Sequence, residues 1–170
     1  MPEEHVLAEP KQVEASRDKL LSSTIHLLHR AGQSAGEIYL SEMAGADLTP
    51  RQYAVLVAVS QNEGLSQTQL VNNTGIDRST LADIIRRMLK KDLLQRRRTK
   101  DDARAYSVNL TESGAKVLAD AQPLVSRVDE KLLGALPSHQ RERFLQDLNL
   151  IITSMDAAVS TQKEKLQSGQ

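Results

Sequence analysis

The sequence contains no cysteine. That removes disulfides, thiolate nucleophiles, zinc–thiolate sites and thiol-based redox sensing from consideration. It has no tryptophan and a single phenylalanine, Phe144, so its core must be mainly aliphatic. No window approaches the roughly 18 apolar residues expected of a membrane helix. Met1 to Gln12 is polar and acidic, without the apolar stretch of a secretion signal. A cytoplasmic protein with no membrane contact is therefore expected. Catalytic signatures are missing as well: there is no GxGxxG, P-loop, GxSxG or HExxH, and the histidines do not stand beside candidate nucleophiles. Neither an enzyme nor a cofactor is expected. No internal repeat or low-complexity segment is present. What remains is 170 residues, 39% hydrophobic and 26% charged, which fits one ordinary globular domain with helical extensions.

Net charge is absent too, at +0, but its distribution is uneven. Asp77 to Arg104 holds ten basic residues (Arg78, Arg86, Arg87, Lys90, Lys91, Arg96, Arg97, Arg98, Lys100, Arg104) against five acidic ones (Asp77, Asp83, Asp92, Asp101, Asp102), so it carries +5 and the remainder −5. A polyanion feels the local field, because exposed charges beyond about 8 Å are screened at physiological salt. Such asymmetry points to nucleic acid. A solvated basic face would explain charge alone.

Apolar periodicity divides the chain into segments. Residues 1–12 read as a disordered tail. Val13 to Met43 reads as one long helix, with Leu20, Leu21, Ile25, Leu28, Ala31, Ala35, Ile38, Tyr39 and Met43 at helical spacing, inside an N-terminal segment 13–48. Thr49-Pro50-Arg51-Gln52 has the form of a helix start, with Thr49 as cap, Pro50 at the first position and Gln52 completing a capping box. Tyr53, Leu56, Val57 and Val59 supply that helix's apolar stripe. Ser66 to Gln69 repeats the signature and opens a short helix to about Asn72. Asn73-Thr74-Gly75 turns the chain, and Asp77 caps a helix to about Lys91 that buries Leu81, Ile84, Ile85 and Met88. Leu93 to Thr99 and Ala105 to Leu110 then form a hairpin, with Tyr106, Val108 and Leu110 on one face. Residues 49–111 thus make one module and residues 112–161 a helical C-terminal segment. Pro123 should bend or break that segment, and residues 162–170 should fray.

A helix, a short helix, a glycine turn, a basic helix and a basic hairpin in that order make a winged helix-turn-helix: a mainly α fold with a small β-hairpin wing. The major groove, about 12 Å wide, accepts one α-helix whose N-terminal residues reach base edges. Arg78, Ser79, Thr80, Asp83, Arg86, Arg87 and Lys90 occupy the exposed face of the second helix. Ser66, Gln67 and Thr68 lie on the bracing helix. Arginine can bond guanine O6 and N7 together, while lysine and hydroxyls mostly hold phosphates. On the wing, Arg98 and Lys100 are phosphate candidates and Arg104 a minor-groove candidate. Asp102 would orient or neutralise a neighbouring arginine.

The stretch Leu65 to Gly114 resembles the MarR (multiple antibiotic resistance regulator) family of winged-helix transcription factors. The matching residues are Leu70, Gly75, Asp77-Arg78-Ser79-Thr80, the Leu81/Ile84/Met88/Leu89 ladder, Lys91 to Arg96, the wing signature Asp102-Ala103-Arg104, and Val108 to Gly114. Thr49 to Tyr53 and Leu136-Pro137 also fit the layout, extending the resemblance to roughly Asp18 to Val159. Asp92 departs from it, standing where glycine is frequent, and must accept a helix-terminating conformation. The resemblance implies a homodimer made by the first and last helices. It also implies a pseudo-palindromic double-stranded DNA operator, and repression relieved by a small anionic or aromatic ligand, such as an aromatic acid or its coenzyme A thioester.

The same resemblance places the effector pocket along the first helix, which makes His26, His29, Arg30, Tyr39 and Tyr53 the candidates. His26 and His29 are one helical turn apart, but no carboxylate or cysteine at matching spacing completes a metal site. Ordinary surface histidines and core tyrosines are the alternative readings. A helical protein-binding adaptor, or a DNA-binding protein without an effector, are the competing functions. The adaptor would not need hydroxyls and arginines on one helical face beside a charged hairpin.

Overall fold

The computed structural model describes residues 18–62, 64–98 and 106–167, with side chains through 158. The elements are α1 (Thr24–Glu42), α2 (Pro50–Gln61), α3 (Gln67–Thr74), α4 (Arg78–Lys90), β1 (Leu94–Arg98), β2 (Tyr106–Leu110), α5 (Glu112–Leu133) and α6 (Ser138–Gln167). They group into two compact units, Met1–Val128 and Asp129–Gln170, with the division falling inside α5. The fold is mainly helical with one two-stranded antiparallel sheet, as expected from the sequence.

The first unit is built around aliphatic side chains. Val55, Leu56, Leu70, Leu81, Ile85, Met88 and Leu94 are fully buried, each worth roughly 1.5–3 kcal/mol of transfer free energy. They join α2, α3, α4 and the base of the hairpin into one core. Both capping boxes form: Thr49 with Gln52, and Ser66 with Gln69. The buried face of α2 is rotated from the expected one. It holds Gln52, Val55, Leu56, Ala58 and Val59, while Tyr53 and Val57 are half-buried. α3 runs to Thr74 rather than Asn72, and Gly75 stops it in a left-handed conformation with φ 66°.

Four further expectations change. The N-terminal helix is not continuous: the turn at 18–21 ends at Ser22, and α1 starts afresh at Thr24. The Ser22 hydroxyl donates to the carbonyls of Asp18 (3.1 Å) and Lys19 (3.0 Å). Ser23 has extended backbone and its hydroxyl accepts from His26 N. Two serine side chains thus satisfy one helix end and one helix start, outcompeting continuation; residues 13–17 of the expected helix lie outside the described residues. α5 passes through Pro123 unbroken, at an exposed position where the single freed carbonyl can be solvated. α6 continues to Gln167, past the expected fraying point at 162. Tyr106 is 49% exposed, because it pairs with Arg98 at the outer end of the ribbon, beyond the core that covers Val108.

The base of the hairpin is the most tightly constrained point. Leu94 pairs with Leu110 and Arg98 with Tyr106, and Leu65 adds a one-residue bridge to Val108. Asp92 has φ 55°, the single positive value among the described non-glycine residues, so it takes the conformation its position demanded. The Thr111 hydroxyl donates to Asp92 O (2.5 Å) and accepts from Gly114 N (2.9 Å). A Cβ on Gly114 would lie 1.9 Å from Leu93 O, so α5 starts in contact with the backbone that leaves α4.

Candidate nucleic-acid interface

Three local interactions set the shape of the basic face. Asp77 caps α4 and accepts from Thr80 N (3.0 Å) and from the Ser79 hydroxyl (2.6 Å). Those bonds from Ser79 and Thr80 hold its carboxyl well below the usual carboxylate range. Arg78 Nη2 donates to Thr68 Oγ1 at 3.3 Å, which ties the start of α4 to the exposed side of α3. Asp83 pairs with two arginines at once, Arg86 through Nη2 and Arg87 through Nε, the latter at 2.7 Å. Its carboxyl is lowered, chiefly by the Arg86 hydrogen bond, with desolvation opposing and the charges of Arg87 and Arg86 adding to the lowering.

The sequence-predicted residues of α3 and α4 therefore gather on one surface. Arg78, Ser79, Arg86, Arg87, Lys90 and Thr68 are exposed, while Thr80 and Asp83 are half-buried among them. Ser66 and Gln67 are half-buried, and the Ser66 hydroxyl is engaged in capping α3. On β1, Arg96, Arg97 and Arg98 are all exposed. By strand alternation Arg96 and Arg98 share one face and Arg97 takes the other. Lys100, Asp102 and Arg104, expected at the wing tip, lie outside the described residues. The surface offers several cations and hydroxyls on a well-packed core, an arrangement suited to phosphates and base edges.

The effector candidates separate. Tyr39 is 6% exposed and its hydroxyl donates to Leu48 O at 3.2 Å, so it acts in the core. Burial, and secondarily the neighbouring Tyr53, raises its phenol above the ordinary value. Tyr53 and His26 are half-buried, and His29 and Arg30 are exposed on α1. No cluster of potential metal ligands occurs among the described residues.

Sequence reasoning missed a cavity of about 440 Å³ whose lining includes Leu48, Leu93, Val117, Ala121 and Leu124 together with the charged Asp47, Lys91 and Asp120. Lys91 Nζ lies 2.5 Å from Asp47 Oδ2. It also missed Arg127 Nε on Glu42 Oε2 at 2.9 Å, between α5 and the end of α1. These partners are 44 and 85 residues apart, a separation that no local pattern encodes.

Comparison with known proteins agrees with this geometry. The MarR family sequence model matches residues 46–105. The transcriptional regulator HosA of Escherichia coli O127:H6 is 39% identical over 100 residues, covering 59% of this chain and 74% of HosA. The transcriptional repressor CouR, solved bound to a 23-mer DNA duplex, superposes with a TM-score of 0.74 at 30% identity, over 79% of this chain and 95% of CouR. BpsR of Bordetella bronchiseptica, whose DNA binding is regulated by 6-hydroxynicotinic acid, gives 0.73 at 26% identity, over 76% of this chain and 93% of BpsR. No helix among the described residues is long and apolar enough to cross a membrane. With its helix-turn-helix, two-stranded wing and flanking helices, the chain belongs to the MarR family of winged-helix transcriptional regulators.

Proposed function

We propose that the chain is a non-enzymatic, cytoplasmic, sequence-specific repressor that binds a pseudo-palindromic operator as a homodimer. The observation that carries this reading is the exposed row Arg78, Arg86, Arg87 and Lys90 on α4, braced to α3 through Thr68 and mounted on a fully buried aliphatic face. A helix held this rigidly can enter a major groove without losing its own order, so little ordering cost opposes binding. Arg98 and Lys100 would follow the phosphates, Arg104 would read the minor groove, and Asp102 would orient or neutralise a neighbouring arginine. The DNA-bound form of CouR supports the same mode.

Uncovered apolar side chains support the dimer. Each unit leaves an apolar row uncovered: Ile25 and Leu28 on α1, and Phe144, Ile151 and Met155 on α6, all 39% exposed or more. The α6 row recurs with the spacing of a helix–helix seam. Half-sites ~34–36 Å apart would follow from the symmetry axis.

Release by a small aromatic acid, or its coenzyme A thioester, is the second part of the proposal. It draws support from BpsR, which responds to an aromatic acid, and from Arg30, His29 and His26 standing on the accessible side of α1. Tyr53 remains a candidate for the same pocket, whereas Tyr39 would act by holding its wall. Electrophoretic mobility shift with the DNA upstream of the chain's own gene tests the first part, and addition of aromatic acids and their thioesters tests the second. A shift that survives unrelated competitor DNA is expected. A shift indifferent to sequence would refute the repressor, and a complex unmoved by the whole panel would refute the effector class.

A further inference from the structure

Asp83 is a carboxylate in the middle of the surface that the proposed function assigns to DNA. Its side chain is 36% exposed, beneath arginine side chains that are 65% and 67% exposed. On electrostatic grounds alone it is misplaced there, because it opposes every phosphate that approaches the helix. Folding does not explain it either, since exposed pairs at i,i+3 and i,i+4 contribute little to stability. What it does is geometric. One oxygen takes Arg86 through Nη2 and the other takes Arg87 through Nε. With its Nε drawn to Asp83, the Arg87 guanidinium is biased toward one orientation, and its coplanar Nη1/Nη2 edge lies away from that contact. That free edge is the one that matches guanine O6 and N7 with two parallel hydrogen bonds.

We propose that Asp83 is a positioning residue for sequence discrimination: it holds Arg87 in base-reading orientation and keeps both Arg86 and Arg87 from collapsing onto the nearest phosphates. Unrestrained, a long arginine on this helix gains as much from a phosphate as from a base edge, and phosphates are present at every sequence. The carboxylate thus exchanges general affinity for specificity, by repelling backbone and restraining the two arginines. This rests on the DNA-binding reading above and refines it.

The test uses the full chain. Duplexes preferred by the wild type are selected from a random pool, and binding to the selected duplex and to a shuffled one of equal length is measured at several salt concentrations. Asp83→Ala is expected to bind the shuffled duplex more tightly and to lose about tenfold in the ratio between the two, the size of one good base contact. Asp83→Asn, which keeps the shape and loses the charge, should also lose discrimination. Asp83→Glu, which restores a carboxylate within reach of both arginines, should recover most of it. Unaltered thermal unfolding of the three variants separates this effect from misfolding. An unchanged ratio in Asp83→Ala, or equal gains on both duplexes, overturns the positioning role while leaving the regulator intact. Failure of the wild type to select any duplex overturns the DNA-binding reading itself.

Discussion

At the scale of single residues, Gly114 shows how closely this fold is packed where the wing begins. A methyl group there would stand 1.9 Å from Leu93 O, well inside any van der Waals separation. The clash is with backbone, so no side-chain rotation relieves it. Alanine would gain up to ~1 kcal/mol in helix propensity over glycine, but overpacking of this kind costs about 1–3 kcal/mol and more where backbone must move. The steric cost wins. Gly114→Ala should lower the midpoint of urea unfolding, and an unchanged midpoint would mean that α5 does not start against Leu93. The same residue scale separates Tyr39 from the other effector candidates. Its hydroxyl, spent on Leu48 O, ties α1 to the segment that enters α2.

At the scale of elements, the start of α4 depends on ionised Asp77. Bonds from Ser79 and Thr80 depress its carboxyl from the ordinary 3.8. A depressed folded value means that the charged form is favoured on folding. Its contribution is fully present above that ordinary value and is lost as pH falls below it toward the folded value. Asp77→Ala should therefore unfold at a lower temperature than the wild type at neutral pH, with the two melting curves converging in acid. A gap that persists undiminished well below the ordinary carboxylate range would show that Asp77 acts by something other than its charge. The N-cap also presents Ser79 and anchors the helix that Arg78 ties to Thr68, so the loss should weaken DNA binding as well as folding.

For the whole molecule, the exposed apolar residues of α6 set the expected assembly. Phe144 is 46% exposed, Ile151 42% and Met155 57%, on a helix with no buried side chain among its described residues. Exposed single apolar residues are ordinary, but a row of them along one helix marks an interaction surface. In the proposed homodimer, Ile151→Glu should shift sedimentation from dimer toward monomer and reduce operator affinity sharply, since one subunit would engage only one half-site. A dimer that survives this change, together with unaltered DNA binding, would place the symmetry contact elsewhere.

Much of this protein was legible in one dimension because its cues are local. Thr49 with Gln52, Ser66 with Gln69, and Asp77 bond within three residues of themselves, so their helix starts follow from order alone. Asp92 had to take positive φ because the chain leaves α4 there, and the hairpin pairing followed from alternation. The charge asymmetry and the residues facing the proposed DNA site were readable for the same reason: a helical face is a property of spacing. The break at Ser22–Ser23 was local as well, but it depended on which of two competing hydrogen-bond patterns prevailed. Tertiary structure alone decided the rest. It turned Gln52, Val55 and Ala58 inward in place of Tyr53 and Val57, left Tyr106 outside, and brought Lys91 to Asp47 and Arg127 to Glu42. Those outcomes turn on what each side chain meets from distant parts of the chain, and burial and ion pairing exist only once those parts have come together.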